Sequence, residues 1–136
     1  MVKVLMGLKG SGKTKQMIEM VKEAIGDEAG DVVVIERGTK LKHDIPHTVR
    51  LIDTSLFKFG NYEYIKGFIS GVFSANYDIT HIFIDSVTKI LGMDYDEEMD
   101  EFLKWCEEFS KSENVKFTLT ISADLSLATE GMKKYF

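Results

Sequence analysis

Residues 7–14 read GLKGSGKT. Gly7 is followed, after four residues, by Gly12-Lys13-Thr14, and a further glycine stands at position 10. The flanks decide what this stretch is. Ahead of it, residues 2–6 (VKVLM) form a short apolar strand; behind it, Met17, Ile18, Val21 and Ile25 recur at helical spacing until Gly26. A glycine-rich loop between a strand and a helix presents successive backbone amides and the positive end of the helix to an anion, and glycine lets the backbone approach without side-chain obstruction. The spacing predicts a phosphate-cradling loop made of Gly7, Leu8, Lys9, Gly10, Ser11, Gly12, Lys13 and Thr14, with Lys15 in the first turn of the helix. In that pattern Lys13 reaches the β- and γ-phosphates of a nucleoside triphosphate, and the Thr14 hydroxyl ligates Mg²⁺.

Strand and helix signals alternate along the rest of the chain. DVVVIERG at 31–38 has the continuous apolar run of a strand buried on two faces, and VRLID at 49–53 reads as a short strand suited to a sheet edge. Asn61 is placed to cap a helix whose apolar side is Ile65, Phe68, Ile69, Val72 and Phe73. Gly67, Gly71 and Ala75 fall on another side of that helix, which predicts close packing on the sheet there, with a helix-mediated dimer as the alternative. THIFIDS at 80–86 is a further buried strand, and His81 just before its core reads as structural. Asp94 or Asp96 starts an acidic-tipped helix with Met99, Phe102, Leu103, Cys106 and Phe109 inward. KFTLTIS at 116–122 is the last strand, with a short helix before Phe136. The pattern predicts one α/β domain, residues 1–136, with a three-layer fold: a largely parallel sheet of about five strands between helices on both faces. In such sheets a ligand binds at the carboxyl ends of the strands.

Composition narrows the function classes. The chain has 136 residues, 44% of them hydrophobic and 29% charged, enough for one buried core. Net charge is −5, and the basic residues are fifteen lysines spread along the chain plus Arg37 and Arg50. No basic face is evident, which disfavours nucleic acid as a partner. No run approaches the ~18 apolar residues of a membrane helix. MVKVLMG leads directly into the motif and lacks a signal-peptide core, so a cytoplasmic location is expected. One cysteine, Cys106, excludes an internal disulfide, and His43 and His47 lack the second ligand pair of a zinc site.

The segment HIFIDS ends an apolar strand in Asp85, the arrangement of a Walker B carboxylate that holds Mg²⁺ opposite Thr14. With the loop at 7–14, this resembles the P-loop NTPases, and FIDSVTKI resembles the Walker B of RecA-like ATPases, recombinases and clock-type proteins among them. The resemblance implies ATP and Mg²⁺ as ligands. It also implies a water-activating glutamate at the end of the strand after the loop helix, where Glu36 stands 23 residues beyond Lys13. It further implies that the strand after Asp85 lies between the Walker B strand and the loop strand and carries a polar sensor at its tip. Thr120, Ser122 and Asp124 are the candidates, Ser122 foremost; the glutamine usual there is absent. Lys13, Glu36 and Ser122 are thus the expected catalytic set, with Thr14 and Asp85 at the metal. The chain is also similar to short bacterial proteins loosely described as twitching-motility-type ATPases, although 136 residues leave no room for the added domain and the acidic and histidine boxes of a pilus motor.

A GTPase is disfavoured: Thr88 stands where glycine would follow the Walker B aspartate, and no Asn-Lys-x-Asp motif occurs. A small-molecule kinase would need an arginine-bearing lid, and the only candidate acceptor loop is residues 36–50. The expectation is a minimal ATP-binding core with slow hydrolysis. The alternative is a non-hydrolysing module that reports ATP to a protein partner. With no strand after residue 124, the loop strand is expected at a sheet edge, covered by the carboxyl-terminal tail or a second subunit. In a homo-oligomer, Arg37 or Arg50 would be the arginine offered to a neighbouring site.

Overall fold

The computed structural model describes all 136 residues. In chain order the elements are β1 (Val2–Gly7), α1 (Lys13–Asp27), β2 (Asp31–Glu36), a 3-10 turn (Lys40–His43), β3 (Arg50–Asp53), α2 (Tyr62–Ala75), β4 (Ile79–Ile84), α3 (Val87–Leu91), α4 (Glu98–Glu113), β5 (Lys116–Ser122), a second 3-10 turn (Leu125–Leu127) and α5 (Glu130–Lys133). The five strands form one sheet in the order β1-β5-β4-β2-β3, with every pair parallel. As the resemblance implied, β5 lies between β4 and β1. The short strand β3 is one edge and the loop strand β1 the other.

Strand residues alternate between two apolar layers, because successive side chains leave a strand on opposite faces. Val4, Met6, Val33, Ile35, Ile82, Ile84, Phe117, Leu119 and Ile121 meet α2, α3, α4 and α5. Leu5, Val32, Val34 and Phe83 meet Met17, Val21 and Ala24 of α1, with Leu41, Ile45 and Val49 from the loop before β3. One helix therefore covers the face on which the glycine loop opens, while the other helices cover the opposite face. No helix is long and apolar enough to cross a membrane.

Asn61 caps α2 as expected, its side-chain oxygen accepting the Tyr64 amide at 3.0 Å. Tyr62, Ile65, Ile69 and Phe73 are buried, and Phe68 and Val72 pack at the margin. The stripe of Gly67, Gly71 and Ala75 corrects an expectation. It faces solvent, and a Cβ added at either glycine would meet nothing within 4 Å. The apolar side of α2 already fills the contact with the sheet, so these small residues pack against nothing. In α4, Met99, Phe102, Leu103 and Cys106 are buried, while the acidic opening stays at the surface. The helix begins at Glu98, whose amide is accepted by Asp96 Oδ1 at 2.9 Å.

Sequence periodicity misses α3. Five residues are too few to show a period, and the helix is fixed by its ends: Ser86 enters it at φ 61° and Gly92 leaves it at φ 72°. The Gly92 amide closes on the carbonyls of Thr88 and Lys89, a common way to stop a helix.

The tail covers the β1 edge in part. The Val4 amide donates to the Tyr135 carbonyl at 2.8 Å. Met132 and Tyr135 are buried in the larger apolar layer, Thr129 Oγ1 donates to Asp100 at 2.7 Å, and the Tyr135 hydroxyl donates to Glu107.

Candidate functional site

Strand register brings the candidate residues together. Ile35 is level with Ile84, and Ile84 with Leu119, so the next residues, Glu36, Asp85 and Thr120, form a row across the carboxyl ends of β2, β4 and β5. By alternation, all three point to the α1 face, as do Leu5 and Gly7 of β1. The row thus stands beside the glycine loop, and the Asp85 amide keeps the register by donating to the Ile35 carbonyl at 2.8 Å.

The loop has the backbone its glycines permit. Gly10 and Gly12 sit at φ 86° and 87°, in the left-handed region that side chains disfavour. A Cβ on Gly7 would stand 2.6 Å from Ser11 Oγ, so any other residue there requires the exposed Ser11 side chain to turn away. Lys13 folds back over the loop and donates to the Leu8 carbonyl at 3.1 Å. Thr14 Oγ1 faces Asp85 across 3.3 and 3.4 Å to its two oxygens. These gaps are longer than a good O–H···O bond. A hydroxyl and a carboxylate so opposed, next to the glycine loop, suit a hard divalent cation that keeps water and phosphate oxygens in its remaining positions.

These residues line a cleft of about 900 Å³. Lys9, Gly10, Gly12, Lys13, Thr14, Lys15, Glu36, Asp85 and Ser122 all reach it, while Gly7, Leu8 and Ser11 line an adjoining groove that Lys13 shares. Six basic side chains, Lys9, Lys13, Lys15, Arg37, Lys40 and Lys89, stand against the carboxylates of Glu36, Asp85 and Asp94. A chain with a net charge of −5 therefore presents a locally cationic cleft, which favours a polyanion. Arg37 reaches the cleft of its own chain, and Lys40 and Lys89 were not anticipated. Lys89 owes its place to α3, and nothing in the local sequence announces that helix.

Glu36 is 3% exposed, and its Oε2 accepts the Leu41 amide at 3.0 Å. Burial raises its pKa above the ordinary carboxylate value; the Leu41 amide opposes this, and the charges of Asp85 and Asp53 push it further up. A carboxylate made more basic in this way is suited to accept a proton from water. Asp53, by contrast, is held below its usual value by the Ser55 and Gly38 amides, and so fixes the bend after β2.

At the tip of β5, Ser122 lies exposed on the cleft wall, level with Gly7. Thr120, one step deeper on the same face, touches Asp85. Sequence reasoning included Thr120 among its candidates without that contact. Asp124 is turned to local work, its side chain accepting the Ser126 amide.

The chain matches no protein-family model and no curated protein. It is similar in structure to the flagellar accessory protein FlaH from Methanocaldococcus jannaschii, with a TM-score of 0.61 at 14% identity over 98% of this chain and 65% of that one. It is likewise similar to the KaiC-like protein PH0186 from Pyrococcus horikoshii OT3, with a TM-score of 0.63 at 18% identity over 98% of this chain and 66% of that one. The chain spans about two thirds of the length of each. At these identities the likeness shows the fold alone, a RecA-like P-loop fold, in agreement with the all-parallel sheet and the loop at the carboxyl end of β1.

Proposed function

We propose that this protein binds Mg²⁺-ATP in the cleft and hydrolyses it slowly, as a protein of the cytoplasm. The observation that carries this reading is the opposition of Thr14 and Asp85 across 3.3–3.4 Å beside a glycine loop whose backbone is open to an anion. In this reading backbone amides of the glycine loop and the Lys13 ammonium hold the β- and γ-phosphates. Thr14 and Asp85 hold the metal, which when bound neutralises charge on the phosphates. Glu36 orients and deprotonates the attacking water through the carboxylate oxygen that the Leu41 amide does not occupy. In the same reading Ser122, exposed at the tip of β5 on the cleft wall, contacts the terminal phosphate.

A second reading is favoured by one contact. Because Glu36 is tied to the Leu41 amide, a nucleotide that shifts Glu36 also shifts the 37–49 segment, and the protein then reports ATP to a partner or to a second copy without needing turnover. Phosphoryl transfer to a small molecule lacks comparable support, since Arg37 is the only arginine on the cleft.

Phosphorus NMR of Mg²⁺-ATP with wild type, Lys13→Ala and Glu36→Gln separates the readings. Slow hydrolysis requires shifted or broadened ATP signals, then ADP and phosphate, with wild type only. Glu36→Gln is expected to keep binding and lose turnover by about 100-fold. Binding without turnover in wild type selects the reporting role. No binding in wild type overturns the proposal.

A further inference from the structure

Two side-chain links join β4 and β5 on the face covered by α1. Near the amino-terminal ends, His81 Nε2 lies 2.9 Å from Thr118 Oγ1. At the other end, Thr120 Oγ1 donates to Asp85 Oδ1 at 2.7 Å, and the same oxygen accepts the Ser86 amide at 2.6 Å. The second link has a fixed direction. A hydroxyl has a single proton, and the Ser86 N–H can only donate, so the Thr120 proton is left for Asp85. Thr120 is 1% exposed, so water does not compete for either bond.

Each bond constrains something in the cleft. The bond to Oδ1 fixes the rotation of the Asp85 carboxylate, whose two oxygens then lie 3.3 and 3.4 Å from Thr14 Oγ1. The bond from Ser86 holds a non-glycine residue at φ 61°, ψ 72°, a conformation that needs support from its surroundings. Ser86 is the residue through which the chain turns from β4 into α3, and that turn carries Lys89 to the cleft. One buried hydroxyl therefore sets the aim of the carboxylate and the geometry of the turn behind it. Ser122, exposed at the tip of the strand, makes neither contact.

Resting on the Mg²⁺-nucleotide reading above, we propose that Thr120 is a positioning residue for the metal site: its hydroxyl orients Asp85 toward the cation while locking the Ser86 turn. Thr120 acts through Asp85, to which its hydroxyl is bonded in the wall of the cleft. Its removal leaves Asp85 free to rotate and the Ser86 amide without a partner. The cost falls on the divalent cation and spares the phosphate contacts of the glycine loop. Loss of a partner that orients a metal ligand weakens metal affinity by about 10- to 100-fold.

The test compares wild type with Thr120→Val, which keeps the shape and removes the hydroxyl, and with Thr120→Ser, which keeps the hydroxyl. Thr120→Ala serves as a second hydroxyl-free variant should valine prevent folding. Calorimetric titration measures ATP binding as Mg²⁺ is increased, and ATP binding in EDTA provides the metal-free reference. Thr120→Val or Thr120→Ala should raise the Mg²⁺ concentration for half-maximal effect by about 10- to 100-fold. Metal-free affinity should stay unchanged, and Thr120→Ser should restore the wild-type response. A hydroxyl-free variant with the wild-type Mg²⁺ dependence, or one that loses metal-free binding equally, overturns the role of Thr120 alone. Failure of wild type to bind ATP with or without Mg²⁺ overturns the nucleotide reading and the role together.

Discussion

His81 sits 6% exposed in β4, stacked on Phe83 with ring centroids 4.0 Å apart. Burial lowers its pKa to about 4 from an ordinary 6.5; Glu28 opposes that shift, while Lys116 and the amino terminus add to it. Folding therefore favours the neutral ring. The stabilisation is complete above pH 6.5 and is lost as pH falls toward 4. Urea unfolding across that window should show wild type losing stability more steeply than His81→Gln, by up to about 1.4 kcal/mol per pH unit. Equal slopes would show that His81 does not titrate with unfolding. Gly30 makes a different prediction. A Cβ there would lie 2.2 Å from the Asp78 carbonyl oxygen and 2.4 Å from Thr80 Cγ2, so Gly30→Ala forces backbone apart and should cost about 1–3 kcal/mol in the same assay. At this scale, the sequence was legible where chemistry is local. Gly7, Gly12, Lys13 and Thr14 fall within one loop, and Asp85 ends an apolar run. The bond from Thr120 to Asp85 spans 35 positions and depends on strand register, which a single sequence does not display.

The elements were legible in proportion to their length. α1, α2 and α4 have 15, 14 and 16 residues, room for several repeats of an apolar face. α3 has five and shows none. Alternation in β5 was present in the letters KFTLTIS, with Phe117, Leu119 and Ile121 on one side and Thr118 and Thr120 on the other. Its meaning becomes clear only with β4 alongside, where His81 and Asp85 meet the two threonines. The solvent-facing glycines of α2 show the converse: a stripe of small residues is silent about whether anything packs on it. The cap of that helix is a firmer inference. Asn61→Ala removes the acceptor for the Tyr64 amide and should cost about 1 kcal/mol in unfolding free energy, with Asn61→Asp close to wild type.

For the whole molecule, the strand order has one exposed consequence, the β1 edge. The tail attaches there through the single bond from Val4 to Tyr135 and through the buried Met132 and Tyr135 side chains. Deleting residues 126–136 should cost about 3 kcal/mol or more from lost apolar burial and should lower solubility, read by urea titration and by the soluble fraction after concentration. Unchanged stability and solubility would show that the tail contributes nothing to the edge.

That same order also constrains when the fold can be completed. Val2 pairs with Phe117 and Gly7 with Ser122, so β1 obtains its only strand partner from a segment synthesised more than a hundred positions later. The helix–strand units in between can collapse around β2 and β4, but β5 must enter between two strands that are already present. Contacts of such long range close slowly and leave apolar strands exposed while they wait. On the ribosome, the glycine loop is made well before β5, and in the proposed role it becomes able to hold its ligand only after β5 has docked. If the cleft binds nucleotide as proposed, a nascent chain should acquire that affinity in one late step, when β5 docks.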